Sequence, residues 1–486
     1  AIGTGSGTTN LTSGGIIDNN AGGYTDLVPY GIALDMDNKK MWIGNPTISA
    51  TTWNNETSVS PAANTGGFDL PFDEYSIFIS NSLGTGFVNF GQYVGDWNGN
   101  SVSDHTSTAG GNFTLAPPTD FKAINQDNLD DTASKITALA WIKNRDAADD
   151  NIWMDRVIGT GGYLSTTQND SGTAATAYGD GGSDILTTNT NAVQRFLQRG
   201  VQVGSDENVN TANESYVLWQ WLLGDSATTG SSITTGSPSL ATTGVVSDAN
   251  HFSIVQYTGN GIDNATFAHG LGSTPNLVMI KRRSGTPTNS DWVIHIPGLG
   301  TENYIYPHYR IALSSGASSI GMVPDANLVE ISTGVAINTS GQTHMAYSFK
   351  NTPGLCKIGT YVGNSSTDGA YVSTGFRPSW LWIFNTTLTS AAPSYDSERP
   401  IIDTARYRFN GATTAGGTNG GINFSDQRAA EEAQNTSLGV NPAIDILSDG
   451  FKLRANDSTI NTATTYLYIS MADIAGNGTL PPIYGR

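Results

Sequence analysis

The chain of 486 residues carries 42 acidic and 23 basic residues, which gives a formal net charge of −19 at pH 7. Nucleic acids and anionic membrane surfaces are bound by clustered Lys and Arg, so this charge argues against both as partners. Charged residues make up only 13 % of the chain and glycines number 57, a balance typical of strands joined by tight turns rather than of helical bundles.

The aromatic residues and the single cysteine further restrict the structural classes to which the chain can belong. The 10 Trp, 19 Tyr and 16 Phe residues supply several hydrophobic cores and argue against disorder. Cys356 is the only cysteine, which excludes an intrachain disulfide and a cysteine-based zinc site, and we expect a small buried side chain there. No apolar run approaches the roughly 18 residues of a membrane span. The start at Ala1 without Met predicts a processed chain or part of a longer polypeptide.

The first part of the chain predicts an arm followed by a hairpin. Residues 1–27 are rich in Gly, Ser, Thr and Asn without a period, which indicates a loop or arm. Ile32 and Leu34 then alternate with small or polar residues, an Asp-Asn turn signal follows, and a short apolar strand resumes, which is a hairpin pattern. Residues 75–79 and 87–92 predict two more strands.

Residues 28–132 contain an ordered set of motifs that resembles a known family. The hairpin GIALDMDNKKMWI is followed by FVNFGQ and then by PPTDFKAIN. This series resembles the second half of a SPRY-like domain, of a kind common in tail-associated proteins of marine phages. Asp120 stands where that family has Gly, and Ile124 stands where it has Leu. The first half is missing, and either residues 1–27 with a partner chain complete the sandwich or the missing strands lie upstream.

The rest of the chain repeats one pattern three times, which points to related modules in a row rather than one large enzyme domain. Residues 253–280 read as strand, Gly/Asn turn, strand, Pro-marked corner and strand. Residues 357–384 repeat that order, with Tyr361 at the position of Tyr257. A third copy starts at Ala138 and lacks the opening hairpin.

Each copy ends in a short strand after a polar turn, with Tyr216, His344 and Tyr466 at equivalent positions. This pattern is typical of a two-sheet sandwich, and it predicts an all-β fold of tandem β-sandwich modules, jelly-roll or SPRY-like, with little helix. Residues 190–199 fit a helix or a strand, and residues 426–434 are the best helix candidate. The predicted divisions are an arm at 1–27, a partial SPRY-like β-sandwich at 28–132, modules one, two and three at 133–224, 251–352 and 353–474, a Ser/Thr/Gly linker at 225–250 and a tail at 475–486.

The three modules also resemble the repeated domain of unknown function that follows the SPRY-like part in those phage proteins. The shared pattern lies at residues 257–261 and 272–283 of module two and at residues 141–145 of module one. Module three departs from it at Phe384, where the family has Lys. The resemblance implies a virion protein and implies no catalytic activity.

No motif predicts catalysis or a metal site. The HExxH, GxSxG and Walker patterns are absent, and the six histidines are scattered without ligand spacing. Carboxylates such as Asp155 cannot be paired across a cleft from sequence. Asp35 and Asp37 fit an ordinary hairpin turn better than a calcium site. We therefore expect no enzyme activity, no catalytic residues, no metal and no cofactor.

Ligand binding is the favoured class of function, because aromatic residues on turns stack on sugar faces while Asn, Asp and Thr bond hydroxyls. The predicted ligand-binding residues are Trp53, Asp96, Trp97, Tyr304 and Tyr306. Asp96 and Trp97 lie in a polar turn, and the two tyrosines cluster in module two. Core packing or a subunit contact is the alternative for each aromatic residue.

The sequence thus predicts a structural appendage protein on the surface of a phage virion, a tail fibre or tail-associated protein that acts in host attachment. Expected partners are further copies in a homotrimer, other virion proteins and a host cell-surface glycan or protein, without nucleic acid or membrane insertion. Trimerisation or stacking would cover the edge strands. Two alternatives stay open: a head decoration or head fibre protein, and a carbohydrate-active enzyme with accessory β-sandwich modules.

Overall fold

The computed structural model describes sixteen stretches of the chain in two units, residues 1–130 and residues 131–486. The described α-helices are two single turns, α1 (Glu207–Asn210) and α2 (Val335–Asn338), and strands dominate. The predicted all-β class with little helix is therefore confirmed. The described residues are 31–35, 38–44, 58–69, 136–147, 149–166, 185–197, 200–223, 228–286, 290–300, 303–307, 314–315, 320–387, 399–406, 422–423, 444–456 and 460–472.

The predicted hairpin is present in the first unit. The Asp35 carboxylate accepts hydrogen bonds from the Asn38 backbone N–H and side-chain amide at 2.9 and 2.8 Å, which closes the turn. Trp42 is fully buried beside Ala33 and Val59, and it donates to a backbone carbonyl. The sheet has the order β1-β2-β3, with β1 at Gly31–Asp35, β2 at Lys40–Gly44 and β3 at Phe68–Asp69.

Module one has a five-stranded sheet of order β10-β4-β5-β6-β7 and a separate β8–β9 hairpin. Residues 190–199, which fit a helix or a strand by sequence, contain strand β8. The strands are β4 (Thr137–Asn144), β5 (Ile152–Asp155), β6 (Gly162–Ser165), β7 (Thr187–Thr188), β8 (Val193–Leu197), β9 (Gly200–Val203) and β10 (Tyr216–Leu222).

Module two is the largest, with an eight-stranded sheet of order β11-β12-β13-β21-β15-β16-β17-β18 and a small sheet of order β14-β20-β19. Residues 225–250, expected to be a linker, contribute β11 and β12 to the large sheet. The strands are β11 (Thr228–Ser232), β12 (Thr242–Val246), β13 (Phe252–Thr258), β14 (Ala265–Ala268), β15 (Leu277–Arg282), β16 (Val293–His295), β17 (Asn303–Ile305), β18 (Ser314–Ser315), β19 (Met322–Pro324), β20 (Leu328–Ile331) and β21 (Thr343–Phe349).

Module three has a five-stranded sheet of order β22-β29-β24-β25-β26 and a small sheet of order β23-β28-β27. The helix candidate at 426–434 lies outside the described residues. The strands are β22 (Cys356–Val362), β23 (Tyr371–Ser373), β24 (Trp380–Asn385), β25 (Pro400–Asp403), β26 (Ile422–Asn423), β27 (Ile444–Leu447), β28 (Gly450–Leu453) and β29 (Thr465–Met471).

The closing strands β10, β21 and β29 occupy equivalent places. Each pairs antiparallel with the central strand of its own module, which is β4, β15 or β24. In modules two and three the closing strand also pairs with an opening strand, β13 or β22. Among the described strands of module one, β10 pairs only with β4.

The three central strands are buried along their whole length, on both faces. One face packs inside the module, as Ile142, Ile280 and Ile383 do in three separate clusters. The other face enters a fourth cluster to which all three modules contribute. Two-sided burial explains why these strands read as continuous apolar runs rather than as alternating ones.

The shared cluster is rich in tryptophan. Seven of the 10 tryptophans in the sequence lie in it or against it. Ring centroids of Trp141 and Trp382 are 5.9 Å apart, and those of Trp153 and Trp292 are 5.2 Å apart, so the network crosses from module one to both others. Tilted and edge-to-face aromatic pairs add about 0.5–1.5 kcal/mol each beyond the area they bury. The seven are Trp141, Trp153, Trp219, Trp221, Trp292, Trp380 and Trp382.

Candidate functional site

Two of the predicted ligand-binding residues, Tyr304 and Tyr306, lie side by side at strand β17. Because side chains alternate along an extended chain, both tyrosines pack at the margin of the module two core, whereas Ile305 between them turns into the shared cluster. Their ring centroids are 5.2 Å apart at an interplanar angle of 87°. Both rings are half-buried, so each keeps an accessible part.

The surroundings of the tyrosine pair keep the Tyr306 hydroxyl protonated and bind its backbone carbonyl. Burial, with Tyr304 and then Asp291 as further causes, raises the pKa of Tyr306 well above its ordinary value, so its O–H remains a donor at physiological pH. The guanidinium of Arg399 in module three donates to the Tyr306 carbonyl oxygen. His295 lies opposite Tyr304 in the β16–β17 register.

Trp53, Asp96 and Trp97 lie outside the described residues. The structure therefore brings together only the two tyrosines of the predicted set.

Three of the four described histidines, His269, His295 and His344, are buried. Burial lowers the pKa of His269 and His295, and it lowers the pKa of His344 to about 4. His344 stacks on Tyr257 with ring centroids 5.2 Å apart. Over the described part of the chain, no group of three or more His, Cys, Asp or Glu side chains could hold a metal ion, and no helix is long and apolar enough to cross a membrane.

Two buried lysines at the shared cluster donate hydrogen bonds to backbone carbonyls. Lys143 Nζ donates to the carbonyls of residues 147 and 149 at 3.1 and 2.9 Å, and Lys281 Nζ donates to the Ser290 carbonyl at 2.6 Å. Module three has Phe384 at this position, with the Arg399 guanidinium 5.6 Å from its ring. A cation thus stands near this position in all three modules, although its source differs.

One protein family matches residues 130–474, which is more than two thirds of the chain. The chain belongs to the DUF7483 family. This family is described only as a domain of unknown function. No curated protein and no solved structure matches the chain. The DUF7483 region contains all three modules and their shared core, so the unit of the family is the three-module body and not a single module.

Inside the DUF7483 region, two buried aspartates join neighbouring modules. Asp155 of module one accepts the Tyr347 hydroxyl of module two at 2.7 Å. Asp403 of module three accepts the Trp219 indole N–H of module one at 3.1 Å. Each carboxylate also accepts the backbone N–H groups two and three residues ahead. Burial raises the pKa of Asp155 although these hydrogen bonds lower it.

Between modules two and three of the DUF7483 body, the positions equivalent to these aspartates and their donors are occupied by apolar residues. Ile469 of module three is equivalent to Trp219 and Tyr347 by its pairing in the sheet. Ile296 of module two lies two residues after the partner of the central strand, as Asp155 and Asp403 do, and both isoleucines belong to the shared cluster. Module one thus contacts modules two and three through these aspartates, and Arg399 of module three donates to the Tyr306 carbonyl of module two, so the three modules contact one another in a ring.

Sequence reasoning missed a three-residue motif that precedes every closing strand of the DUF7483 body. It reads Val-Asn-Thr at 209–211 and Ile-Asn-Thr at 337–339 and 460–462. Asn338 and Asn461 are buried and hold the Gly-Asn turn of their module through both ends of the amide. The Asn-Thr repeat is visible in the sequence. It is not detected when the three modules are aligned by their aromatic residues, because the motif contains none.

Proposed function

We propose that this chain is a structural appendage protein of a bacteriophage virion, a tail fibre or tail-associated protein that acts in host attachment. The observation that carries the proposal is the shared tryptophan core, which joins three modules into one packed body. A body of this kind holds a binding surface at a fixed place, as attachment requires. Its buried charged groups, among them Lys143, Lys281, Asp155 and Asp403, are engaged in bonds that hold the modules.

The recognition surface in this proposal is the Tyr304–Tyr306 pair, and its ligand is a glycan on the host surface. A half-buried tyrosine offers part of its ring to sugar C–H groups and its hydroxyl to sugar hydroxyls. The ring is held by the core beneath it and by its perpendicular neighbour, so little conformational entropy is lost on binding. The resemblance to marine-phage tail proteins supports the same class of function.

The proposal includes a position at the particle surface, a homotrimeric assembly and contacts with other virion proteins. The sequence predicted that trimerisation or stacking would cover the edge strands. Inside one chain, the second face of each central strand is already covered by the other two modules. Contacts between copies in a trimer would therefore use other surfaces than these faces.

The proposal is tested by removing each tyrosine ring in the full chain. We expect Tyr304→Ala and Tyr306→Ala to weaken binding to an array of bacterial surface polysaccharides roughly tenfold, because truncating a contact aromatic residue costs over about 1 kcal/mol. Tyr371→Ala is the matched control, since Tyr371 in module three is 47 % exposed and lies outside the pair. Its binding is expected to equal that of the parent.

Two results would count against the proposal. Equal polysaccharide binding by the parent and both tyrosine variants would show that Tyr304 and Tyr306 do not take part in recognition. Release of reducing ends from a bound polysaccharide would show cleavage, and the carbohydrate-active enzyme would replace the attachment protein as the function.

A further inference from the structure

The Gly-Asn turn of module two contains a chemically labile pair, Asn260 and Gly261. In an Asn-Gly pair the backbone nitrogen of the glycine can attack the side-chain amide carbon of the asparagine, because glycine has no side chain to hinder the approach. Gly261 is exposed and Asn260 is half-buried, so solvent reaches the pair. Of the Asn-Gly pairs in the sequence, at 98–99, 260–261, 410–411, 419–420 and 477–478, this one lies in the described part of the chain.

The turn activates the amide carbon of Asn260 towards attack. Asn260 Oδ1 accepts the Ile262 backbone N–H at 2.9 Å. A donor on this oxygen draws electron density from Cγ, and it stabilises the negative charge that develops on the oxygen when a nucleophile adds. The electrophile of the pair is therefore already polarised in the folded chain.

Asn338 restrains the nucleophile. The Gly261 N–H donates to the Asn338 backbone carbonyl at 3.0 Å and to its side-chain oxygen at 3.3 Å. The same amide accepts the Asn260 N–H and donates to the Ile262 carbonyl, each at 2.9 Å. Asn338 is fully buried. A backbone nitrogen that donates to two oxygens keeps its proton, since the anion would face the lone pairs of both.

We propose that Asn260 is a deamidation site whose rate is set by Asn338. When the turn opens, Gly261 N loses its proton and bonds to Asn260 Cγ. The Cγ–Nδ2 bond breaks, and ammonia leaves with that proton, which gives a cyclic succinimide. Water then adds to one of the two ring carbonyls and opens the ring, giving either aspartate or an isoaspartyl link.

An isoaspartyl link changes the path of the main chain. It inserts one extra methylene between residues 260 and 261, whereas Asn338 contacts groups on both sides of that point. These hydrogen bonds cannot all persist in the lengthened chain. The reaction therefore releases the turn from the segment that leads into the closing strand β21, and no step of the fold reverses it.

Module three has the same hydrogen bonds around a less reactive pair. Asn461 accepts the Asn364 N–H at 2.9 Å, and its backbone carbonyl accepts the Ser365 N–H at 3.0 Å. Ser365 replaces Gly261 at a similar positive φ, 54° against 68°, and its side chain hinders attack. A Cβ on Gly261 would lie 3.4 Å from Ser340 Cβ, which is an ordinary contact, so Gly261→Ser fits the turn.

The test keeps the full chain in mildly alkaline buffer and follows conversion of residue 260 by peptide mass spectrometry. Asn338→Ala is expected to speed conversion roughly tenfold, because loss of its side-chain hydrogen bonds opens the turn more often. Gly261→Ser in the Asn338→Ala background is expected to slow it again. Asn461→Ala is the matched control, since it removes the equivalent bonds from module three, and it is expected to keep the parent rate at Asn260.

The chain unfolded in urea supplies the intrinsic rate for comparison. A parent rate equal to the rate in urea would show that Asn338 gives no protection. Absence of conversion in Asn338→Ala, while the chain in urea converts, would show that Asn260 is not a modification site of the folded chain. Equal acceleration by Asn461→Ala would assign the rate to global unfolding. The proposal stands apart from glycan recognition, since the tyrosine variants leave this turn unchanged.

Discussion

Module two differs from modules one and three in one buried pair of side chains at the start of its closing strand. Modules one and three place Asn beside Tyr, with Asn144 Nδ2 3.3 Å from the Tyr216 hydroxyl and Asn385 Nδ2 3.4 Å from the Tyr466 hydroxyl. Module two has Arg282 and His344 at these positions. Burial first, and the Arg282 charge as well, lower the pKa of His344 to about 4. The buried imidazole is therefore neutral at pH 7.

This lowered pKa predicts acid sensitivity. The unfolded chain protonates this histidine near pH 6.5 and the folded chain only near pH 4, so the unfolded state binds more protons between these values. Stability is then complete above pH 6.5 and falls as the pH falls. By pH 4.5 this residue alone removes about 2–3 kcal/mol. The double variant Arg282→Asn with His344→Tyr copies the pair of module three. It is expected to abolish this histidine's share of the acid-induced loss of stability, measured by urea unfolding above pH 6.5 and at pH 4.5.

The reverse exchange supplies the control. Asn385→Arg with Tyr466→His places the module two pair in module three, and it is expected to add acid sensitivity of the same sign. If the parent and the first double variant lose equal stability on acidification, the acid effect comes from other groups.

The sequence predicted some residue environments and left others open. The expectation that Cys356 is a small buried side chain is confirmed, and burial raises its thiol pKa to about 12. For Tyr304 and Tyr306 the sequence could not choose between core and surface, and the structure shows rings that are half-buried. The reason is that exposure at the margin of a sandwich depends on where distant strands end, which local composition does not encode.

At the scale of elements, the Asn-Thr turn before each closing strand ties two parts of a module together. The buried Asn338 amide accepts the Asn260 N–H and donates to the carbonyls of Ile262 and Ser332 at 2.9–3.1 Å. Asn461 makes the corresponding bonds in module three. In module one the same residue, Asn210, is exposed and donates to one carbonyl.

The difference in bonding predicts a difference in stability. Asn338→Ala or Asn461→Ala is expected to lower the free energy of unfolding by about 2–4 kcal/mol, because several buried backbone groups lose their partners. Asn210→Ala, the matched control, is expected to cost under about 1 kcal/mol, since water replaces its bond. Chemical unfolding at pH 7 measures all three, and equal losses at 210 and 338 would contradict this role for the turn.

Strand positions could be predicted where the residue pattern repeats from module to module. They could not be predicted where a segment is a strand only because a neighbouring strand pairs with it. The alignment of Tyr216, His344 and Tyr466 matches the observed register of the closing strands. Strands β11 and β12 were taken for a linker because their Thr, Ser and Gly residues resemble one. Their pairing with each other and with β13 supplies a partner that composition does not reveal, and sheet context outweighs intrinsic propensity.

At the scale of the whole molecule, the shared core predicts that the three modules unfold as one unit. Trp141 contacts rings of module one and of module three, with the centroid of Trp219 4.8 Å away and that of Trp382 5.9 Å away. We expect calorimetry to show one transition for residues 131–486. Trp141→Ala is expected to lower the stability of all three modules together by about 3–5 kcal/mol, because it opens a cavity in a core they share.

Amide exchange resolved by module checks this expectation. Strands β4, β15 and β24 should all exchange faster in Trp141→Ala. Trp42→Ala removes a buried tryptophan from the other unit and should leave the 131–486 transition in place. Faster exchange confined to module one would mean that the modules unfold separately.

Sequence alone could indicate two-sided burial but not what covers the second face. The run ALAWIKN in β4 is apolar at successive positions, which is typical of a strand covered on both sides. A second subunit and a sister module produce the same pattern, because both simply remove the face from water. Only the structure distinguishes them, through contacts such as that between Trp153 and Trp292.

The ring of three junctions has a consequence for how this protein can change by mutation. In a ring of three identical chains, one substitution alters every junction at once. Here the equivalent positions are encoded separately and already differ: an indole donates to a carboxylate, a phenol donates to a carboxylate, and the third pair of positions has two isoleucines of the shared cluster. A substitution at Ile469 leaves the hydrogen-bonded pairs Asp155–Tyr347 and Asp403–Trp219 unchanged in sequence, so each of the three positions can acquire new chemistry separately although all three border one core.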